Sequence, residues 1–320
     1  MAGLRFDGRV VAVTGAGRGL GRSHALLLAS LGASVVVNDL GTELSGEGRD
    51  TAPADEVVAE IVQAGGEAVA NAASVADPAG AASIIGLALE RYGRIDAVVN
   101  NAGILTLDEF PEMAAETLSS HLAVHVLGTF NVTRAAWPHM VAHRYGRVVI
   151  TTSSAIFGAP SLIGYATAKG ALVGLGRSLA QVGADGGIRV NLVAPAAETR
   201  MVNDSELRRR SGLPPLAATA TADPGRSAAE VSPTVAMLAH EACPLNGEII
   251  SAGSGRLARI HFSETGGIVR PGLAPAEVLE AWSEIASPGE LYDPASTADY
   301  VAHREVRIRS ALSHQAGTQG

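Results

Sequence analysis

Apolar, β-branched runs recur along the chain at residues 9–14, 34–39, 67–71, 96–100, 147–152, 189–193 and 248–251, each short enough for a strand of a buried sheet. Between them lie longer stretches in which apolar positions return at helical spacing, at 20–31, 54–64, 78–92, 113–139 and 165–184. Segments of that length suit right-handed helical crossovers between parallel strands. The alternation predicts an α/β fold, a doubly wound (Rossmann) seven-stranded parallel sheet with helices on both faces and a C-terminal extension.

Two stretches break the pattern. One is the Gly-rich loop 41–52; the other spans 194–227, where Pro214, Pro215 and Pro224 interrupt any long helix. Both are expected to form a lid or rim. About 65 residues follow the last predicted strand, and 275–286 carries one more amphipathic pattern with acidic residues in its first turns. The expected organisation is a cofactor-binding catalytic domain over 1–255 and a partly helical extension over 256–320, packed near the active site or an oligomer interface.

Composition narrows the partners. Hydrophobic residues make up 47% of the chain and aromatics 4%, so Ala, Val, Leu and Ile must fill the core. A formal charge of −8 offers no field to gather phosphate backbones or anionic lipid, so no nucleic acid and no membrane are expected as partners. The one cysteine, Cys243, excludes an intramolecular disulfide framework and fits a reducing compartment. The N-terminus lacks an apolar stretch of signal-peptide length, and no segment offers about 18 uncharged apolar residues. The expectation is a cytoplasmic protein. His121 with His125, and His139 with His143, stand one helical turn apart, a metal-ligand spacing. Neither pair carries the glutamate of a zinc hydrolase, and no metal is expected.

Thr14-Gly15-Ala16-Gly17-Arg18-Gly19-Leu20-Gly21 follows an apolar strand and opens a helix. In that position backbone amides can approach a pyrophosphate at a helix N-terminus, which makes Gly15, Arg18, Gly19, Leu20 and Gly21 candidate cofactor residues. Asp39, ending the next strand, can accept hydrogen bonds from ribose hydroxyls and repel an added phosphate, which favours NAD over NADP. Arg18 argues the other way. A guanidinium inside the loop suits a 2′-phosphate, the pyrophosphate or plain solvent.

Tyr165 and Lys169 stand four apart on a predicted helix, on one face and one turn from each other. A neighbouring ammonium and the positive nicotinamide ring both favour phenolate, so Tyr165 is expected to have a lowered pKa and to take a hydroxyl proton. The strand 147–152 delivers Ser153 and Ser154 to the C-terminal edge of the sheet, where a ligand crevice is expected and a serine hydroxyl could hold a substrate oxygen.

Taken together, Thr-Gly-x3-Gly-x-Gly at 14–21, Asn100-Asn101-Ala102-Gly103, Ser153 or Ser154, and Tyr165-x3-Lys169 resemble the short-chain dehydrogenase/reductase family. Within it, Val37-Asn38-Asp39-Leu40-Gly41, Val132-Thr-Arg-Ala-Ala-Trp137, Ala194-Pro195 with Arg200-Met201, and His240-Glu241-x-Cys243 are similar to the (3R)-hydroxyacyl-CoA dehydrogenase part of the peroxisomal type 2 multifunctional enzymes. The similarity extends weakly into the tail at Ile268-Val269 and Ala281-Trp282. The resemblance implies that Asn101, Ala102 and Gly103 flank the adenosine side of the cofactor and that Pro195 to Thr199 meet the nicotinamide carboxamide. It implies that Ser153 orients the reacting oxygen, that Tyr165 exchanges the proton, and that Lys169 also binds the nicotinamide ribose.

Three positions depart from the family pattern. Ser153 precedes Tyr165 by twelve positions, one fewer than usual, so counting back from the tyrosine selects Thr152. Strand register from Gly146 selects Ser153, because loops absorb deletions more readily than paired strands, with Ser154 as the second candidate. His125 stands where many members place a helix asparagine that anchors a proton-relay water; a histidine there can hold the same water or be a packed residue with one backbone partner. Ala73 and Ser74 replace an aspartate common near the adenine.

The expected function is an NAD-dependent oxidoreductase that interconverts a secondary alcohol and a ketone. A 3-hydroxyacyl-CoA is the favoured substrate, with a steroid or other alicyclic alcohol as the alternative. A Rossmann protein that senses NAD without chemistry is the alternative of another class. Arg208-Arg209-Arg210 fits either a CoA phosphate contact or a solvated cationic turn. Helices 113–139 and 165–184 are expected to form a homo-oligomer interface, dimer or tetramer.

Overall fold

The computed structural model describes residues 3–107, 109–197, 227–287 and 289–317, with side chains through 313. The chain divides into Met1–Arg259 and Ile260–Gly320. The first unit is built on one sheet of eight strands in the order β3-β2-β1-β4-β5-β6-β7-β8. These are β1 Val10–Thr14, β2 Ser34–Asn38, β3 Glu67–Asn71, β4 Ala97–Asn100, β5 Gly146–Thr151, β6 Ile188–Pro195, β7 Ile249–Gly253 and β8 Arg256–Ile260. The pairings from β3 to β7 are parallel, with Val11 opposite Val35 on one side and Ala97 on the other. Strands β1, β4 and β5 are buried at every position, as their unbroken apolar runs require of a sheet covered on both faces.

The sheet has one strand more than the seven expected. Ser254 and Gly255, both at positive φ (53° and 70°), make a two-residue turn that folds β8 back beside β7. So short a link joins only antiparallel neighbours. The sheet therefore extends past residue 255, where the apolar pattern placed the start of the extension.

Helices α1 Gly19–Ser30, α2 Ala52–Gln63 and α3 Pro78–Tyr92 fill the first three crossovers. The stretch expected as one helix over 113–139 is three pieces: α4 Ala115–His121, a π-helical segment Leu122–Leu127, and α5 Gly128–Ala142. Helix α6, Ile163–Gly183, packs along β6 and carries both Tyr165 and Lys169. The short α7, Ser232–Ala239, packs on α1. One apolar cluster, from Phe6 through Val11, Val35 and Val99 to Val235, Leu238 and Cys243, fills the space between the sheet and α1, α2 and α7.

At the N-terminal ends of the strands, the buried carboxylate of Asp96 gathers the Arg9 guanidinium at 3.0 Å, Arg94 at 2.6 Å and the Val10 amide at 2.9 Å. That cluster ties β1 to β4 at the edge opposite the candidate site.

The second unit holds two short helices, Pro275–Glu280 and Trp282–Ile285, within the amphipathic stretch expected at 275–286, and a long one at Thr297–Gly317. An antiparallel bridge joins Glu264 to Tyr292, and the Tyr292 ring stacks on His303 at 3.6 Å between centroids.

Candidate active site

The C-terminal ends of β1, β2, β4, β5 and β6 open onto a cavity of about 490 Å³. This is the edge of an open parallel sheet where helix N-termini and strand ends converge on a ligand. Its wall includes Gly15, Arg18, Gly19 and Leu20 from the first turn, then Asp39, then Asn101, Ala102 and Gly103. From the other side come His125, Ser153, Ser154, Tyr165, Lys169 and Pro195. Thr199 and the arginines at 208–210 lie outside the described residues.

Gly21 alone among the expected cofactor residues that are described does not line the cavity. A Cβ there would come within 2.1 Å of the Gly15 carbonyl oxygen and 2.6 Å of the Asn101 amide nitrogen. Its role is close packing of α1 behind the loop. Gly15 itself has φ of 62°, a conformation that side chains strain to adopt.

Asn101 holds the loop in shape. Its side-chain amide donates to the carbonyls of Thr14 (3.1 Å) and Gly15 (3.0 Å), while the Thr14 hydroxyl accepts the amides of Asn101 (3.0 Å) and Ala102 (3.1 Å). Asp39 accepts the Gly17 amide at 2.7 Å on one oxygen and the Gly41 amide at 2.7 Å on the other. Each carboxylate oxygen keeps a lone pair for a further donor.

Sequence reasoning left the 41–52 loop as a lid or rim without assigning residues. Thr42, Glu43, Leu44 and Gly46 line the cavity, and the Leu44 carbonyl accepts the Leu105 amide at 2.8 Å. Nothing in the local pattern marks that contact, because it joins segments sixty positions apart.

At the other end, Ser153 caps a short 3-10 turn, Ser154–Phe157, accepting the Ala155 amide at 3.1 Å. Its hydroxyl lies near enough to the Tyr165 phenol to favour the ionised form. Ser154 is exposed. Thr152, the residue chosen by counting back from the tyrosine, is fully buried and donates its hydroxyl to the Lys169 carbonyl at 2.9 Å, away from the cavity.

Lys169 is buried and donates from Nζ to the Thr151 carbonyl at 2.6 Å, with the ammonium 5.5 Å from the centre of the Tyr165 ring. Burial pulls its pKa from 10.5 down to about 7. The expected lowering of the Tyr165 pKa is not what the folded chain shows. Burial raises it, and the nearby Ser153 hydroxyl only partly opposes the rise. The reason is that the phenol is itself buried, and desolvation disfavours its charged form.

His125 lies in the π-helical segment, its ring edge-on to Tyr165 at 5.4 Å and 86°. Nε2 is 2.9 Å from the Ile104 carbonyl and 3.2 Å from the Ile104 amide. Burial, then the Lys169 charge, lowers its pKa well below 6.5, so the ring is neutral.

Among the described residues no helix is long and apolar enough to cross a membrane. Residues 9–209 match the short chain dehydrogenase family. A short-chain type dehydrogenase/reductase of Mycobacterium tuberculosis is 44% identical over 87% of this chain and 93% of its own length. The peroxisomal multifunctional enzyme type 2 of Mus musculus is 42% identical over 88% of this chain, which spans only 37% of that enzyme. A crystal structure of a short chain dehydrogenase from Mycobacterium avium superimposes with a TM-score of 0.75 at 33% identity, over 89% of this chain and 97% of that one. The full-length Drosophila melanogaster peroxisomal multifunctional enzyme type 2 gives 0.75 at 31% identity, over 96% of this chain and 50% of that one. With its sheet order, its cavity and these likenesses in agreement, the chain belongs to the short-chain dehydrogenase/reductase family of oxidoreductases.

Proposed function

We propose that the protein is an NAD-dependent dehydrogenase that interconverts a secondary alcohol and a ketone, with a 3-hydroxyacyl-CoA as its substrate. The observation that carries the chemistry is the meeting of Ser153, Tyr165 and the buried Lys169 in one cavity with Asp39. The fit to a dinucleotide rests on the glycine loop, where Gly15 and Gly19 at positive φ present bare backbone at the start of α1, and on the Asp39 carboxylate at the cavity wall. Gly15, Arg18, Gly19 and Leu20 would face the pyrophosphate, Asp39 the adenosine ribose, Asn101 to Gly103 the adenosine side, and Pro195 with Thr199 the carboxamide. NAD, when bound, supplies the hydride acceptor.

The chain's own residues manage oxygen and proton. Ser153 donates to the substrate oxygen, its lone pair already engaged by the Ala155 amide. Tyr165 rests as a phenol, raised by burial, and so is loaded to give a proton to a ketone oxygen. In the oxidative direction the same group must first lose its proton, which positive charge on Lys169 and on the bound cofactor favours. His125, neutral and packed edge-on, fixes the phenol ring.

The substrate class rests on the multifunctional relatives, among them a peroxisomal hydratase-dehydrogenase-epimerase of Neurospora crassa, 37% identical over 96% of this chain and 33% of that enzyme. A cytoplasmic homo-oligomer belongs to the same proposal. The test follows NADH formation by the purified protein with a 3-hydroxyacyl-CoA and, separately, a steroid alcohol. Thioester turnover lost in Tyr165→Phe supports the proposal. Steroid turnover alone overturns the substrate, and NAD binding without turnover of either overturns the chemistry.

A further inference from the structure

Four buried side-chain atoms among the described residues lack a hydrogen-bond partner: Asn100 Oδ1, His121 Nε2, His125 Nδ1 and Thr151 Oγ1. Buried polar atoms are rarely left so, and a cluster of them points to ordered water. Two of the four belong to neighbouring imidazoles. His121 and His125 stack with centroids 5.9 Å apart and planes 8° from parallel, and neither exposes more than 1% of its surface.

Their proton positions follow from their partners. His121 Nδ1 lies 2.9 Å from the Thr117 carbonyl, which can only accept, so Nδ1 carries the hydrogen and Nε2 presents a lone pair. His125 has two choices, because the Ile104 peptide offers its Nε2 both a carbonyl at 2.9 Å and an amide at 3.2 Å. With hydrogen on Nε2 the carbonyl is satisfied and Nδ1 presents a second lone pair. With hydrogen on Nδ1 the amide is satisfied instead. Ile104 alone therefore does not choose between the tautomers.

We propose that His121 is a positioning residue for Tyr165, acting through one buried water that donates its two hydrogens to His121 Nε2 and His125 Nδ1. That water selects the Nε2–H tautomer of His125 and holds its ring against Tyr165. Both rings lie close against backbone that only glycine leaves open. A Cβ on Gly103 would come within 2.4 Å of His125 Cε1, and one on Gly164, next to Tyr165, within 2.9 Å of His121 Nδ1. The pair is thus wedged between the loop after β4 and the first turn of α6. The charge-bearing neighbour facing it across that wedge is Lys169.

The inference rests on the proposed role of Tyr165 for its kinetic consequence, but its spectroscopic test does not. Nitrogen NMR of the full chain labelled at histidine reads tautomers directly, and His121→Phe and His125→Phe variants assign the signals. The expected result is a single Nε2–H tautomer for His125 that becomes mixed or Nδ1–H in His121→Phe. In His121→Gln, whose side-chain oxygen can accept from the same water, the Nε2–H tautomer should persist. Turnover should fall about tenfold in His121→Phe, recover in His121→Gln and leave the KM for NAD unchanged. A wild-type Nδ1–H tautomer, or His125 signals indifferent to His121→Phe, would overturn the proposal. Equal losses of turnover in the Phe and Gln variants would also overturn it. A protein that folds but turns over no alcohol would fail the functional proposal while leaving the tautomer test to decide this one.

Discussion

Lys169 Nζ donates to the Thr151 carbonyl at 2.6 Å, so the end of β5 anchors a buried amine that burial has brought down to about 7. Below pH 7 folded and unfolded chains both hold the proton, and the cost of burying the charge is fully present. Between about 7 and 10.5 the unfolded chain binds the proton and the folded chain does not, so stability rises with pH in that window, by at most about 1.4 kcal/mol per unit. Urea unfolding at two pH values across it should show this rise in the wild type and a flatter dependence in Lys169→Met. Parallel slopes in the two proteins would show that Lys169 stays charged when folded.

Tyr165→Phe keeps the ring that His125 meets edge-on and removes only the phenolic hydroxyl. Turnover should fall about a hundred- to ten-thousand-fold with the unfolding midpoint nearly unchanged. Ser153→Ala should lose less, because the phenol survives. A Tyr165→Phe protein with wild-type turnover would leave the proton with another group.

Asp39 already accepts two amides, from Gly17 and Gly41, and its charge faces the cavity. In Asp39→Asn one of those bonds is lost and so is the repulsion of an added phosphate. The KM for NAD should rise roughly tenfold or more, as expected for a lost bond to a charged group, while turnover with NADP rises relative to NAD. An unchanged ratio between the two cofactors would move discrimination to Arg18.

Asp96 sits at the far edge of the sheet, paired with Arg9 and Arg94 and bonded to the Val10 amide. Asp96→Ala removes the buried carboxylate that Arg9, Arg94 and the Val10 amide share, leaving Arg9 with Glu241, and should cost about 2–3 kcal/mol in urea unfolding. Turnover per folded molecule should stay the same. A fall in turnover larger than the fall in folded fraction would mean that the two edges of the sheet are coupled.

Much of this fold was legible because its signals are local. The apolar runs at 9–14 and 147–152 became β1 and β5 within one residue, since a strand buried on both faces needs a continuous apolar stretch. β8 escaped because Arg256-Leu-Ala-Arg-Ile has the half-exposed alternation of an edge, and a two-residue turn hides the reversal that makes it a strand. Helix α7 escaped because only eight residues carry it, and the helix at 297–317 because charge and polar residues surround it on most sides. The π-helical segment was invisible for a different reason: periodicity reports a helix but not one surplus residue within it.

The site divides in the same way. Gly15, Asp39, Tyr165 and Lys169 stood out through spacing, and the cavity wall includes all four. Leu44 against Leu105, Thr152 turned away from the cavity, and the raised pKa of Tyr165 all depend on packing between distant segments. The last is instructive, because the argument from Lys169 weighed a neighbouring charge, while burial of the phenol itself decides the direction.

The π-helical segment Leu122–Leu127 lodges a surplus residue between His121 and Gly128. Deleting one residue there would restore ordinary α-helical bonding, yet it would swing everything on one side by about 100° around the axis. His121 would leave the backbone of Gly164, and the two imidazoles would part. Chain length along this stretch is therefore locked, so natural variation there should consist of replacements that spare the two histidines and not of single-residue gaps.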